Sequence, residues 1–565
     1  MSRRRKGLVA AGVLALGGLA IGSAVQAVTP GFSDDRSAKL ASAINPEKPR
    51  NVILIIGDGT DDSMITAARN YELGAAGRFA LDELPFTGEM TTYGLKTGPD
   101  PKDYPIAYVS DSAPTASGWS TGKKTVDSRL SQGPSAADTI PGTDYETVLE
   151  IYKKQGKRTG NVSTAEITDA TPAAAASHIN LRACQGPTDM ASCTAAKKSN
   201  GGKGSIAEQL VDNKIDVILG GGLNRFNQAT DAGPTVLDYA KSEKLKYQTV
   251  QTKSGLAGVT SLANGPILGL FTTGNMTPMF TPLTAAAAPA IAGGPTTRCD
   301  TAERGDQPTL SDMTTKAIDL LDNPNGFFLQ VESAMVDKQE HASDICGAIG
   351  DLVEMDKALK VAQNYQAKHP DTLIIVTGDH AHSTQIVGGS TDDGKQLAQV
   401  QTADGDPMTV AYSTNAVGSD HTGTQIRVAA SGPQAANVTG TIDQTDLFGT
   451  LLGRTPSKLP TGPTPPAPPA AQPKPVVALV ADKTISAKNL QTSGLRISTN
   501  VAGATSVKVT LTKGGKTLAS KTLSQYGETV RLKARQKVSG AVKVVVVARG
   551  PGGTKTKVVT ATVTR

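Results

Sequence analysis

Val52–Ile56 is an unbroken run of five apolar residues, four of them β-branched. A run with no polar alternation predicts a strand buried on both faces of a parallel sheet. Gly57-Asp58-Gly59 stops it abruptly. Comparable runs occur at Arg158–Ser163, Asp216–Leu219, Phe327–Glu332, Leu373–Thr377 and Gln425–Ala430. Between them, apolar positions recur at helical spacing in Ser63–Leu73, Ser205–Asn213, Met313–Leu321 and Ile345–Lys368. Strand-like and helix-like segments alternating over residues 50–454 predict an α/β domain, its central, mostly parallel sheet flanked by helices. Gly255–Pro308 lacks periodicity and carries a run of alanines and prolines, so it reads as a surface excursion.

The pattern changes at residues 455–475, where seven prolines between Pro463 and Pro475 predict an extended, semi-rigid linker. Beyond it, Ser506–Thr512 and Thr517–Leu523 alternate about a Gly514-Gly515 turn, and Ala541–Ala548 and Lys555–Thr564 add strand-like segments. Short strands with glycine-rich turns over 476–565 predict a small, Ig/fibronectin-like β-sandwich.

The N-terminus predicts export. Arg3, Arg4, Arg5 and Lys6 precede an apolar run to Ile21, and small residues lead to Val25-Gln26-Ala27. That order matches a secretory signal over 1–27, with a polar lead-in over 28–49. The apolar run is too short for a comfortable membrane span. The Ser-Arg-Arg start also permits twin-arginine export. Four cysteines in an exported chain suggest two disulfides. The short spacing of Cys184 and Cys193 favours that pair, leaving Cys299 with Cys346. A four-cysteine zinc site is the rival, though no Cys-x-x-Cys occurs.

Net charge of +6 conceals an asymmetry. Residues 476–565 hold 16 Lys plus Arg against 2 Asp plus Glu, whereas 28–475 hold 37 basic and 49 acidic residues. A basic tail on an acidic body suggests electrostatic retention on anionic cell-wall polymers. Tyr526 is the tail's only aromatic, so a stacking platform for sequence-specific nucleic-acid binding is missing.

The chemistry gathers where strands end. In open α/β sheets ligands collect beyond the carboxyl ends of the strands, which delivers Asp58 to that edge; a plain turn is the alternative. Three of the six histidines sit beside carboxylates at similar places: Asp337 with His341, Asp379 with His380 (His382 just beyond), and His421 after Asp420. Imidazole and carboxylate are zinc ligands. Ser112, in Asp-Ser-Ala-Pro, is the nucleophile candidate. It has no Gly-x-Ser-x-Gly elbow and no nearby histidine, so activation by metal is favoured over a Ser-His-Asp triad. An N-cap is the structural alternative for this stretch. Arg182 offers a guanidinium fork matched to two phosphate oxygens.

Taken together, the segments Ile56-Gly-Asp-Gly, Asp111-Ser-Ala, Val162-Ser-Thr-Ala-Glu, Asp169-Ala-Thr-Pro-Ala, Arg182-Ala-Cys, Val336-Asp-Lys-Gln-Glu-His341, Thr377-Gly-Asp-His-Ala-His382 and His421-Thr-Gly resemble bacterial alkaline phosphatases of the exported, homodimeric kind. The resemblance spans about residues 50–450. It implies two Zn2+ and one Mg2+ per subunit: Asp337, His341 and His421 for one zinc, Asp58, Asp379 and His380 for the other, and Asp58, Thr171 and Glu332 for magnesium. It further implies that Ser112 forms a phosphoserine with phosphate monoesters, that Arg182 clamps the phosphoryl oxygens and that Lys338 adds charge. Asp169 would order the magnesium water shell and His382 would support the second-zinc ligands. The family pairs its cysteines Cys184–Cys193 and Cys299–Cys346. Ala113-Pro114-Thr115 departs from the family's small-residue pattern, and the tail has no counterpart in its simplest members. A phosphodiesterase or sulfatase of the same superfamily is the alternative, and a wall-attached binding protein is a third reading.

Overall fold

The computed structural model describes residues 35–98, 104–388, 395–412, 419–455, 474–523 and 528–565. The leader expected over 1–27 and nearly all of the proline-rich linker lie outside the described residues. The chain divides into two compact units, Met1–Ser457 and Lys458–Arg565.

Ten strands form the sheet of the first unit: β1 (Asn51–Gly57), β2 (Phe86–Thr91), β3 (Arg158–Glu166), β4 (Val217–Gly221), β5 (Gln248–Val250), β6 (Ile267–Leu270), β7 (Phe327–Ser333), β8 (Thr372–Gly378), β9 (Ile426–Ser431) and β10 (Gly440–Asp443). Their order is β10-β2-β9-β8-β1-β7-β3-β4-β6-β5. Every pairing from β8 through β5 is parallel, and β9 is antiparallel to both β8 and β2.

β1 lies mid-sheet, and Val52–Ile56 are each 0% exposed. Side chains alternate across a strand. Val52, Leu54 and Ile56 therefore enter one apolar core, and Ile53 and Ile55 the core on the opposite face. Helices α1 (Asp62–Leu73), α4 (Leu310–Leu321) and α6 (Ile345–Gln366) cover the Ile53 face, and α2 (Ser112–Thr121) and α3 (Ala170–Ala174) cover the other; α5 (Met335–His341) follows β7 directly. The register is what matters for function. Gly57 is level with Ser333 of β7 and with Gly378 of β8, so three adjacent strands end together.

The predicted strands and helices all form, with ends shifted by a few residues. The surface-excursion reading of Gly255–Pro308 needs correction. That segment contributes β6, whose four residues are all buried in the central sheet, and two short strands, Ala286–Ala287 and Ala292–Gly293, of a second five-stranded sheet completed by Thr384–Val387, Gln396–Gln401 and Pro407–Tyr412. A four-residue strand interrupted by Gly269 is too short to display a period. Cys299 in the same segment is bonded to Cys346 at the start of α6, and Cys184 to Cys193.

The second unit is two-layered. A three-stranded sheet (Val476–Ala481, Leu495–Ala502, Thr529–Leu532) and a five-stranded sheet built on Ser506–Lys513, Lys516–Thr522, Gly540–Gly550 and Gly553–Thr564 share one core. Val507, Val509 and Leu511 and, across the pairing, Val542, Val544 and Val546 are 0% exposed. Gly514 and Gly515 have φ of +54° and +79°, the left-handed conformation that a tight hairpin turn demands. No helix among the described residues is long and apolar enough to cross a membrane.

Candidate active site

The level strand ends deliver three functional segments to one place. Asp58 follows β1, and its N–H donates to the Ser333 carbonyl of β7 at 3.1 Å. The next N–H, of Gly59, donates to Asp379 Oδ1 beyond β8 at 2.9 Å. Gly59 has φ of +66°, and a Cβ there would stand 3.0 Å from the Asp337 backbone, so this turn needs glycine twice over. Glu332 is the penultimate residue of β7, after which α5 carries Asp337, Lys338 and His341. Asp337 and His341 are four residues apart and share a helix face, and the Asp337 N–H donates to the Asp58 carbonyl at 3.1 Å.

Ser112 is the first residue of α2. Asp111, not Ser112, is the N-cap, accepting the Ser112 N–H at 2.7 Å. Asp169 caps α3 in the same way, with Thr171 in that helix's first turn. Arg182 lies on the loop that follows, two residues before the disulfide at Cys184, and its N–H donates to the Ser128 carbonyl at 2.6 Å.

Ser112 Oγ stands 3.3 Å from Asp58 Oδ1 and 3.4 Å from His380 Nε2. His380 Nε2 is 3.4 Å from both Asp58 and Asp379. Beside this group, Asp337 Oδ1 is 3.4, 3.5 and 3.2 Å from the Nε2 atoms of His341, His382 and His421. His382 is thus turned toward Asp337 and lies with the first ligand set, not the second as expected. Although His380 and His382 are near in sequence, the chain bends between them, and Ala381 bridges to Thr422 beside His421. The rings of His380 and His421 stack with centroids 3.7 Å apart, joining the two sets.

Arg182 is gripped from two sides. Its Nη1 lies 2.8 Å from both Asp111 oxygens and its Nη2 2.5 Å from Asp169 Oδ1. Lys338 Nζ sits 2.6 Å from Asp169 Oδ2. Glu332 accepts from the Ser163 hydroxyl. Asp111 and Ser163 were not singled out from sequence; an aspartate directly before a helix-opening serine was the available signal for the first. The remaining histidines lie elsewhere, His178 against Glu150 and His369 stacked on Tyr365.

The electrostatics are those of a cation site. Asp58 is raised well above the usual carboxylate range by burial and by the charges of Asp379, Asp337 and Glu332. Burial, with Asp169 and Asp379, pushes Glu332 up to about 8. Asp337 goes the other way: burial is outweighed by its hydrogen bond with His421 and the charges of His380 and His341. Burial brings His382 down to about 2, while against burial Asp337 holds His421 up at about 9. Asp379 Oδ2, Thr171 Oγ1 and His382 Nε2 are buried with no hydrogen-bond partner. Such atoms are costly unless something compensates them. Two imidazole nitrogens, His341 Nε2 and His421 Nε2, point at each other from 3.0 Å. Asp337, His341, His382 and His421 form one group whose ligand atoms converge enough to hold a metal ion, and Asp58, Asp379 and His380 form another. The donor chemistry fits zinc at both. The oxygen donors of Asp58, Thr171 and Glu332 fit magnesium.

Asp337, His341 and His421 open onto a cleft of about 630 Å³ that Asp111, Arg182 and Lys338 also line. The alkaline phosphatase family profile matches residues 49–419. The chain is 44% identical over 432 residues to an alkaline phosphatase of Escherichia fergusonii, covering 74% of this chain and 89% of that one. It is 41% identical over 424 residues to the streptomycin-6-phosphate phosphatase of Streptomyces griseus, covering 72% and 90%. Its fold is like that of the Thermus thermophilus alkaline phosphatase, with a TM-score of 0.54, 20% identity and coverage of 76% and 96%. Strand ends, buried donor groups and the matched stretch coincide, and the chain belongs to the alkaline phosphatase family of phosphoric monoester hydrolases.

Proposed function

We propose that this enzyme hydrolyses phosphate monoesters through a phosphoserine on Ser112, at a site of two zinc ions and one magnesium ion. The observation that carries the reading is the buried Ser112 Oγ, 3.3 Å from Asp58 and 3.4 Å from His380 at the N-terminus of a ten-residue helix. Asp337, His341 and His421 would hold one zinc, with His382 against Asp337. Asp58, Asp379 and His380 would hold the other. Asp58, Thr171 and Glu332 would hold magnesium. When bound, these ions supply the positive charge that favours alkoxide and hydroxide at neutral pH and offsets charge on the departing oxygen.

The protein's own groups do the rest. Ser112 Oγ attacks phosphorus in line, its bond to phosphorus forming as the bond to the alcohol oxygen breaks. The helix N-terminus favours the anionic phosphoryl group there. Arg182 is presented as a fork by Asp111 and Asp169 and takes two phosphoryl oxygens. Lys338, held by Asp169, adds a further positive charge. Water then cleaves the phosphoserine and returns Ser112. The transition state is loose, so positioning and charge neutralisation carry most of the catalysis.

Arg182 and the magnesium donors suit a dianionic monoester. Comparing a monoester, a diester and a sulfate ester of one phenol tests this. The monoester is expected to have kcat/KM larger by orders of magnitude, and Arg182→Ala to lower it by about a hundredfold, in keeping with loss of a bidentate charged contact. A diester or sulfate preference would mean the sister reaction instead.

The enzyme is proposed to be exported by its leader and to act as a homodimer. The basic second unit is proposed to hold it on anionic wall polymers. Full-length protein should sediment with purified anionic wall polymer at low ionic strength and be released as salt is raised. Binding that ignores salt, or no binding at all, removes that role.

A further inference from the structure

At the mouth of the cleft stands Asp127, an exposed carboxylate that phosphoryl transfer does not use. Any ester reacting at Ser112 has its phosphoryl group fixed by Ser112 and Arg182 on the floor. Its alcohol must therefore extend toward solvent at the mouth, along a cleft whose exposed lining includes Asp127 and the half-exposed Val109.

A carboxylate in that position works against the known reaction. It repels an approaching phosphate dianion, which Arg182 and Lys338 on the same cleft must draw past it. Asp127 accepts the Asp111 backbone N–H, and the charges acting on it are those of Asp111, His421 and Asp138. Asp420, also exposed on this cleft, accepts the His421 N–H at 2.8 Å and adds negative potential on that side. The repulsion turns into attraction for one class of substrate, in which the alcohol itself bears a positive charge.

We propose that Asp127 is a specificity-determining residue that selects phosphate monoesters whose alcohol carries an ammonium or guanidinium group. The proposal rests on the reading of this cleft as the phosphomonoesterase site. An amino alcohol phosphate places its cation a few ångströms beyond the ester oxygen, at the mouth, while its phosphoryl group occupies the floor. An alcohol bearing a carboxylate meets the same residue with like charge.

The test is kcat/KM for O-phosphoethanolamine, glycerol 2-phosphate and 3-phosphoglycerate (cationic, neutral and anionic alcohols) on the metal-loaded, full-length enzyme at low ionic strength. Each variant is judged by its cationic-to-anionic ratio, with the neutral ester as internal reference. Asp127→Asn is expected to lower that ratio about fivefold, the size of one solvent-exposed ion pair. Asp127→Lys is expected to lower it further and to favour the anionic ester, and raised salt should flatten the wild-type ratio. An unchanged ratio in both variants overturns the proposal. So does an equal loss on all three esters, which would mean that Asp127 only shapes the site. Failure of the wild-type enzyme on glycerol 2-phosphate would instead strike the phosphomonoesterase reading itself.

Discussion

Replacing Ser112 with alanine is expected to lower turnover of a phosphate monoester by about a thousandfold or more while leaving the fold intact. The hydroxyl is the group proposed to bond phosphorus; without it, water must attack directly. The residual rate would come from positioning and charge alone, which outlast the loss of a nucleophile in hydrolases generally. The substitution removes one buried oxygen and keeps the helix cap, because the cap is Asp111. Stability should therefore change by less than about 1 kcal/mol. The direct readout is acid-quenched enzyme after mixing with labelled substrate: label stays on wild-type protein and is missing from the variant. Turnover within tenfold of wild type, or label retained by the variant, would falsify the nucleophile assignment.

The second large effect is metal removal, and its pH dependence has a definite sign. Chelation should abolish activity, because the positive charge that favours the Ser112 alkoxide and offsets the departing oxygen leaves with the ions. In the metal-free protein Glu332 is raised from 4.5 to about 8 and His421 from 6.5 to about 9. Each is raised above its unfolded value, so the folded state binds more protons than the unfolded chain between those limits. Stability from both is complete below the unfolded pKa and is lost as pH rises through the folded one, over about 4.5–8 for Glu332 and 6.5–9 for His421. Above pH 7, where His382 is neutral in the folded and unfolded states alike, the metal-free protein should thus lose Tm as pH rises to 9. Metal binding expels these protons, so the loaded protein should lack that decline, and the Tm gap between the two should widen with pH. Thermal melts of chelated and zinc-plus-magnesium-reloaded enzyme across that range decide the matter. A gap that narrows as pH rises would contradict the assignment of these side chains to a cation site.

Much of the arrangement was readable from the chain. Val52–Ile56 announced a two-sided strand because burial on both faces leaves no room for alternation, and Asp58 followed at its end. Asp337 and His341 declared a shared face by their four-residue spacing. His382 did not follow its neighbours, since two residues beyond His380 the backbone has already turned and its ring meets Asp337. The strand Ile267–Leu270 escaped notice because four residues carry no period. Asp111 looked like part of a motif rather than the group that both caps α2 and braces Arg182.

What the sequence alone determined is local and chemical. It set which segments become strands or helices, which residue types could bind metal or attack phosphorus, the change to a basic β unit after the prolines, and the family. What the tertiary structure decided is coincidence in space. The parallel register makes Gly57, Ser333 and Gly378 level, and so brings Asp58, Asp379 and the α5 residues together from a stretch of more than 300 residues. Such register depends on how neighbouring strands interlock across the whole sheet, a property of pairings between distant segments that no single stretch of residues encodes.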